Sequence, residues 1–407
     1  MGLSAGHSLL SVDHLWLWPR SGGLWQYVGA CGNFYLLYAN QAQKMSEFFV
    51  HPDIKKAETL PAEFYRNPEV FERQKEAIFC KTWQWVGDLD SALPGDGSVF
   101  PINFLTPMVQ EPMLLVRDKQ GTPRCLSNVC THRGNILAHH PGKMGQLICG
   151  YHGRRFGLDG QFKSMPEFEA AEDFPRPCDH LHQYPLKTWH RLLFTSIDPI
   201  FDLGETLSQM DQRVGFLPLD QLKFDPLRSR DYLVNGHWAL YCDNYLEGFH
   251  IPFVHEGLNA AIDYDTYETH LYSHMNLQIG FSKGDSICFD LPQGHPDHGK
   301  SVSAYYYWLF PNMMFNFYPW GLSINVVRPH SPSQSKVSFY TYVLDESKLD
   351  QGAGADLDKV EREDEFVVEA VQKGLQSRHY HTGRFSPTRE QGVHHFHRLL
   401  AEFLNRG

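Results

Sequence analysis

The chain has 407 residues, with 36 Lys plus Arg against 47 Asp plus Glu and a net charge of −11, which argues against a surface built for nucleic acid. Its 42% apolar and 20% charged content is that of an ordinary globular protein with room for two or three domains. No apolar run approaches the roughly 20 residues needed to cross a bilayer.

Residues 1–44 are rich in Leu, Trp, Tyr and Gly and carry only Asp13, Arg20 and Lys44 as charges. No basic residue precedes Arg20, so a secretory signal is not supported. The segment reads as a poorly ordered extension or an upstream-start artefact, with Met45 a more natural beginning. Residues 45–84 follow as a helical part, entered at Asn67–Pro68, with Phe71, Ile78, Phe79 and Trp83 near a 3.6-residue period. From 85 to 203, short apolar runs broken by PGDG, DKQG and LDGQ predict a small all-β domain. From 204 to 407 the elements lengthen. A strand runs into a helix at RSRDYLVNGHWALYCDNYLEGFH, strands fill 301–345, and amphipathic helices are expected over 355–378 and 387–406. The expected fold class is therefore α+β. Cys31, Cys80, Cys125, Cys178, Cys242 and Cys288 are scattered, suggesting reduced thiols in a cytoplasmic protein and no disulfide framework.

Within the β domain, Cys130, His132, Cys149 and His152 form C-x-H-x16-C-x2-H. Two mixed Cys/His pairs match a Rieske [2Fe–2S] centre, in which two imidazoles replace thiolates on one iron and raise the potential to roughly −150 to +300 mV. Mixed sets also bind zinc, but zinc fingers usually pair Cys with Cys and His with His. Glycines stand at the tips of both loops, where backbone is expected to approach sulfur closely.

A second constellation lies at DNYLEGFHIPFVH. Glu247 and His250 are spaced i,i+3, as on one helix face. Pro252 is expected to kink or end that helix and swing His255 back. Two such histidines suit a mononuclear iron(II) completed by one carboxylate. Asp364 is the choice, on a helix whose buried side is read as Phe366, Val367, Val371 and Leu375. Alone, the two histidines also read as core residues, and Glu363, Asp364 and Glu365 as a solvated helix start.

With both motifs in place, the chain resembles the α subunits of Rieske non-haem iron oxygenases, the ring-hydroxylating family, from about residue 55 onward. The resemblance implies a helix-grip catalytic domain. It assigns Cys130 and Cys149 to one cluster iron, His132 and His152 to the other, and His250, His255 and Asp364 to mononuclear Fe(II), with Asn244 close by. It further implies a homotrimer in which the cluster of one subunit feeds the iron of the next, with Glu247 at the linking position. Many aromatic-ring dioxygenases have Asp there. The wording NYLEGFH, NFYPWGLSINVV and GVHHFH is more similar to the branch of choline, carnitine and glycine-betaine monooxygenases, which hydroxylate a carbon beside nitrogen.

A quaternary ammonium substrate calls for aromatic walls. Tyr305, Tyr306, Tyr307, Trp308, Phe315, Phe317, Tyr318 and Trp320 are the candidates, with Tyr305, Tyr307, Phe315, Phe317 and Trp320 taken for the pocket; an aromatic-rich strand also reads as plain packing. No Gly-rich dinucleotide fingerprint is present, so electrons are expected from a separate NAD(P)H-dependent reductase of flavin or ferredoxin type. Arg133, Lys143, Arg154 and Arg155 are candidates to attract it. The C-terminal histidines from His379 to His397 fit no familiar ligand set. The rival readings are a Rieske electron carrier and a zinc-braced module. Against the carrier, Asn135 and Tyr151 stand where respiratory Rieske proteins have a bracing cysteine pair.

Overall fold

The computed structural model describes residues 47–407 except Asp285, Asp356 and Gly407, together with two short strands further upstream. Those strands, Trp25–Val28 and Phe34–Leu37, pair antiparallel. The rest of the expectation for 1–44 lies outside the described residues.

Helix Pro68–Ala77 starts where Asn67 accepts a hydrogen bond from the Glu69 amide and Pro68 takes the first helical position, where its missing N–H costs nothing. The β domain follows. Its five-stranded sheet runs in the order Gln183–Tyr184, Pro123–Ser127, Glu111–Arg117, Ser98–Phe104, Gly142–Lys143, and a three-stranded sheet joins Phe162–Ser164, Arg155–Phe156 and Leu147–Ile148. Leu114, Val116 and Leu126 pack with Cys130, Cys149 and Phe156 between these sheets, whereas Met113, Leu115 and Cys125 face the opposite way into a second core. A strand buried on both faces reads as a continuous apolar run, which explains PMLLV.

The larger domain is a seven-stranded antiparallel sheet in the order Lys223–Val234, Gln334–Val343, Gly321–Ser331, Met313–Tyr318, Val302–Leu309, Met275–Phe281, Glu268–Tyr272. One face packs against the connecting strands and helix Leu203–Val214 through Phe194, Leu207 and Met210. The other carries helices Trp238–Tyr245 and Gln391–Arg406, with Trp238, Trp308 and Phe396 in one core. Residues 47–81 lie on the C-terminal helix. Phe48 exchanges two hydrogen bonds with the Asn405 amide, and the Leu60 amide donates to Nδ1 of His397. His394 and His397 are thereby placed as packing groups, His394 against the His51 carbonyl and His397 against Asp243 and Tyr65.

The two domains meet through buried polar contacts. Gln84 donates to Asn312 at 2.9 Å, and Asp88 accepts from both Tyr342 and Arg191. No described helix is long and apolar enough to cross a membrane, and the cysteines among the described residues are free thiols.

Two candidate iron sites

The Cys130 and Cys149 loops are built alike. The Cys130 amide donates to the Asn135 carbonyl and the Gly134 amide returns a bond to Cys130; the Cys149 amide donates to Arg154 and Gly153 returns to Cys149. Closing each loop requires a left-handed residue, and Gly134 (φ +71°) and Gly153 (φ +72°) supply it. A Cβ at Gly134 would meet nothing within 4 Å. The glycine there answers to backbone conformation, correcting the expected close approach to sulfur.

Both thiols are buried, while the His132 and His152 rings lie 4.8 Å apart nearer the surface. Asn135 donates to Cys149 Sγ at 3.6 Å and Tyr151 stacks on His152 at 3.7 Å, so the positions of the absent cysteine brace support the ligands directly. Burial pushes the Cys149 thiol up, but the amides of Tyr151 and His152, the Cys130 thiol and Asn135 outweigh it and hold Cys149 below its ordinary value.

Arg154 is buried and pairs with Asp179 at 3.0 Å. It lies over Phe156, Phe162 and Phe174. It is thus a structural cation, which removes it from the proposed reductase-facing group; Arg133, Arg155 and Lys143 remain exposed.

The second site departs from the expected helix. Trp238–Tyr245 ends before Glu247, and Glu247 to His250 form a turn into the short helix Ile251–Val254. Pro252 opens that helix and does not end one. His250 and His255 are its two caps, so one helical turn brings both rings together. Nε2 of His250 lies 3.2 Å from Nε2 of His255, and Oδ1 of Asp364 lies 3.5 Å and 3.0 Å from them.

Each Nδ1 is engaged by a carboxylate, Glu247 at 2.6 Å for His250 and Glu363 at 2.8 Å for His255. Both Nε2 lone pairs therefore face the Asp364 carboxylate, a set that repels itself unless a cation sits among them. An ion about 2.1 Å from each ligand holds adjacent ligands about 3 Å apart at right angles, so the residues present fit an iron. Burial lowers the pKa of His255, but its hydrogen bonds to the Asp364 and Glu363 carboxylates raise it on balance; a metal would supply that positive charge in the proton's place. Among the described residues this is the group of three or more metal-type side chains whose ligand atoms lie within 4.8 Å of one another. The Cys130 and Cys149 thiols pair with each other and the His132 and His152 rings lie 4.8 Å apart, the division that two irons would use.

Helix Leu357–Gly374 carries Asp364, but its buried residues are Glu361, Val368 and Gln372, with Leu375 buried just past its end. Of the expected apolar side, Phe366 (76% exposed) and Val371 (44%) face outward, Val367 is half-buried and Leu375 is buried as expected. Sequence reasoning missed Glu361 and Glu363, because acids at a helix start look like solvated charges.

A cavity of about 100 Å³ opens onto the triad, lined by Asn244, Tyr245, Tyr267, Tyr306, Tyr318 and Glu361 among others. Tyr305, Tyr307, Phe315 and Phe317 are absent from it; they occupy the core on the sheet's other face. The register Tyr305↔Phe317, Tyr306↔Asn316 puts Tyr306 and Asn316 on the cavity side. Trp320 stacks on Tyr318 from behind at 5.1 Å and also lines a neighbouring cavity. The pocket assignment is thus displaced by one residue, because these strands are buried on both faces and alternation carries no sign of which face is which. A larger cavity of about 400 Å³, between strand Gln84–Asp88, Phe100–Leu105 and Arg328, contains none of the site residues.

Comparison with known proteins agrees with this geometry. Family models described as the ring hydroxylating alpha subunit catalytic domain and the Rieske [2Fe-2S] domain match residues 219–406 and 83–185. The chloroplastic choline monooxygenase of Beta vulgaris is 30% identical over 366 residues, 85% of this chain and 77% of that protein. The carnitine monooxygenase oxygenase subunit of Escherichia coli (strain K12) is 29% identical over 368 residues, 86% and 94% of the two chains. A solved quaternary ammonium Rieske monooxygenase superposes with a TM-score of 0.68 at 25% identity, covering 87% of this chain and 96% of that one. Naphthalene 1,2-dioxygenase from Rhodococcus sp. shares the fold at a TM-score of 0.63, with 16% identity over 85% of this chain and 93% of that one. The chain belongs to the Rieske non-haem iron oxygenase α-subunit family, as an oxygenase component with a Rieske [2Fe–2S] cluster and a mononuclear iron.

Proposed function

We propose that this oxygenase component hydroxylates a small quaternary ammonium compound at a carbon beside nitrogen, with electrons from a separate NAD(P)H-dependent reductase. The observation that carries the substrate class is the cavity wall. Tyr245, Tyr267, Tyr306 and Tyr318 surround it, Glu247, Glu361 and Asp364 line it, and among the described residues no Lys or Arg does. Aromatic faces and acids attract a cation and repel an anion. The choline and carnitine monooxygenases among its relatives support the same class.

In this reading Cys130, Cys149, His132 and His152 would hold the cluster, and His250, His255 and Asp364 the mononuclear iron. When bound, that iron supplies dioxygen activation, with one O2, two electrons and two protons consumed and one water released for each C–H hydroxylated. Glu247 and Glu363 fix the tautomers that turn both Nε2 atoms to the ion. Ile251, Leu258 and the tyrosine rings exclude water from the reacting carbon, and Asn244 presents an amide to the cavity. Phe253, 82% exposed, and Phe366 lie together beside Glu363. Such an apolar patch suits burial against a neighbouring copy, in keeping with a homotrimer in which one subunit's cluster serves the next subunit's iron.

Metal and sulfide analysis together with reductant-dependent oxygen uptake tests this. The expected result is about three irons with two acid-labile sulfides per chain, and uptake with betaines, choline or carnitine. Uptake with simple aromatics alone would move the chain to the aromatic-ring branch, and zinc in place of iron would sink both.

A further inference from the structure

Beyond the candidate triad, Glu361 is a buried acid that its surroundings leave unsatisfied. It is 3% exposed and sits one helical turn before Asp364, about 4.5 Å along the axis. Its Oε2 accepts a hydrogen bond from the Tyr241 hydroxyl, while its Oε1 is buried without a hydrogen-bond partner. Its strongest charged neighbours, Asp364, Glu365 and Asp358, are all acidic; burial first, then these charges, push the carboxyl well above its ordinary range. A buried acid with no counter-charge is costly to keep in a fold.

A second observation points the same way. Gln278 lines the same cavity, 1% exposed, and its Nε2 is committed to the Tyr245 carbonyl at 2.7 Å. Its Oε1 is left buried and unpartnered. These are the two unpartnered buried polar atoms among the described side chains that line the cavity, and both are acceptors. A ligand that completes the cavity must bring positive charge or donors.

We propose that Glu361 is the specificity-determining residue of the cavity, its carboxylate holding the substrate's alkylammonium nitrogen against the tyrosine walls. Its role depends on the substrate being an ammonium compound, as proposed above. A quaternary nitrogen has no N–H to donate, so it would meet Oε1 through charge and polarised methyl groups, and a protonated tertiary amine would donate directly. With the nitrogen held one helical turn from Asp364, the carbons beside it are the atoms presented to the triad.

The test uses the intact holoprotein. Binding of tetramethylammonium, choline and the uncharged choline isostere 3,3-dimethylbutan-1-ol is measured by calorimetry, and oxygen uptake with choline and carnitine gives KM and kcat. The variants are Glu361→Gln, which removes charge and keeps shape, and Glu361→Asp, which keeps charge. The wild type is expected to bind choline at least tenfold tighter than its isostere. Glu361→Gln should cut that ratio about tenfold through KM, with iron content and melting temperature retained, and Glu361→Asp should restore part of it. An unchanged ratio in Glu361→Gln, with choline or carnitine still turned over, would overturn the role of Glu361 and leave the substrate class standing. Loss of the ratio in both variants alike would also overturn it, since shape and not charge would then decide. No binding and no uptake with any ammonium compound in the wild type would overturn both.

Discussion

Oε2 of Glu363 lies 2.8 Å from Nδ1 of His255, so the residue immediately before Asp364 supports the histidine that Asp364 faces. Two consecutive acids thus act on opposite nitrogens of one ring. Removing such a support typically weakens metal binding 10–100-fold, as an order of magnitude. Glu363→Ala should lose mononuclear iron while its sulfide content and Rieske absorption stay unchanged. An unaltered iron-to-sulfide ratio after dialysis against a mild chelator would contradict this.

The paired strands Val302–Leu309 and Met313–Tyr318 present side chains to both faces of the sheet, and the two faces should respond differently to mutation. Phe315, fully buried in the core beyond the sheet, should cost about 3–5 kcal/mol when truncated to Ala, read as a lower melting temperature with KM little changed. Tyr306→Leu should raise KM for an ammonium substrate about tenfold, the loss of a desolvated cation–π contact, with a smaller effect on melting. The reverse pattern would mean that the sheet faces are misassigned.

Arg154 and Asp179 form a buried pair beside the Cys149 loop. Burial pushes the Asp179 carboxyl up, but hydrogen bonds from the Arg176 amide and from Arg154 hold it below its ordinary value. Breaking a buried pair by removing one partner costs about 3–5 kcal/mol. Arg154→Met should destabilise the β domain and lower cluster content. Neutral salt should leave the effect intact, because a buried pair is weakly screened. A fully loaded, equally stable variant would refute the structural role.

His237 is fully buried and burial lowers its pKa from 6.5 to about 3. Its Nδ1 accepts from the Ala239 amide, and its Nε2 has no partner. The unfolded chain takes up a proton on this residue below pH 6.5 and the folded chain does so only near 3. Its contribution is therefore complete above 6.5 and falls as pH drops through that window, by up to about 1.4 kcal/mol per unit. His237→Asn keeps a capping acceptor without titrating. Its stability should fall less steeply between pH 6.5 and 4 than the wild type's in urea unfolding; parallel slopes would exclude the effect.

The candidate ligand residues are legible because their chemistry is bound to spacing. A loop that must place Cys and His within three residues, and close with a left-handed glycine, leaves a pattern that survives in sequence. The turn at Glu247–His250 could be mistaken for a helix because i,i+3 proximity is common to both. Helix Leu357–Gly374 departs from its expected buried side at Phe366 and Val371, since hydrophobic periodicity assumes that apolar residues point to the core. Here Glu361 and Gln372 point inward and Phe366 outward. Glu361 lines the cavity beside Asp364 and Gln372 accepts from the His237 amide, so each inward polar group has a task that periodicity does not encode. The pocket side of the 302–318 hairpin was invisible for a simpler reason, because it is buried on both faces.

The twin loops at Cys130 and Cys149 have a mechanical consequence. Each carries one sulfur and one imidazole. If the thiolates took one iron and the imidazoles the other, each loop would grip both metals, and the cofactor would rivet residues 130–134 to 149–153 through four bonds, with neither loop tied to its own iron. Opening either loop would strip a ligand from both irons at once, so the cluster should be lost whole and not in halves. Assembly and local folding of that tip would then be a single event.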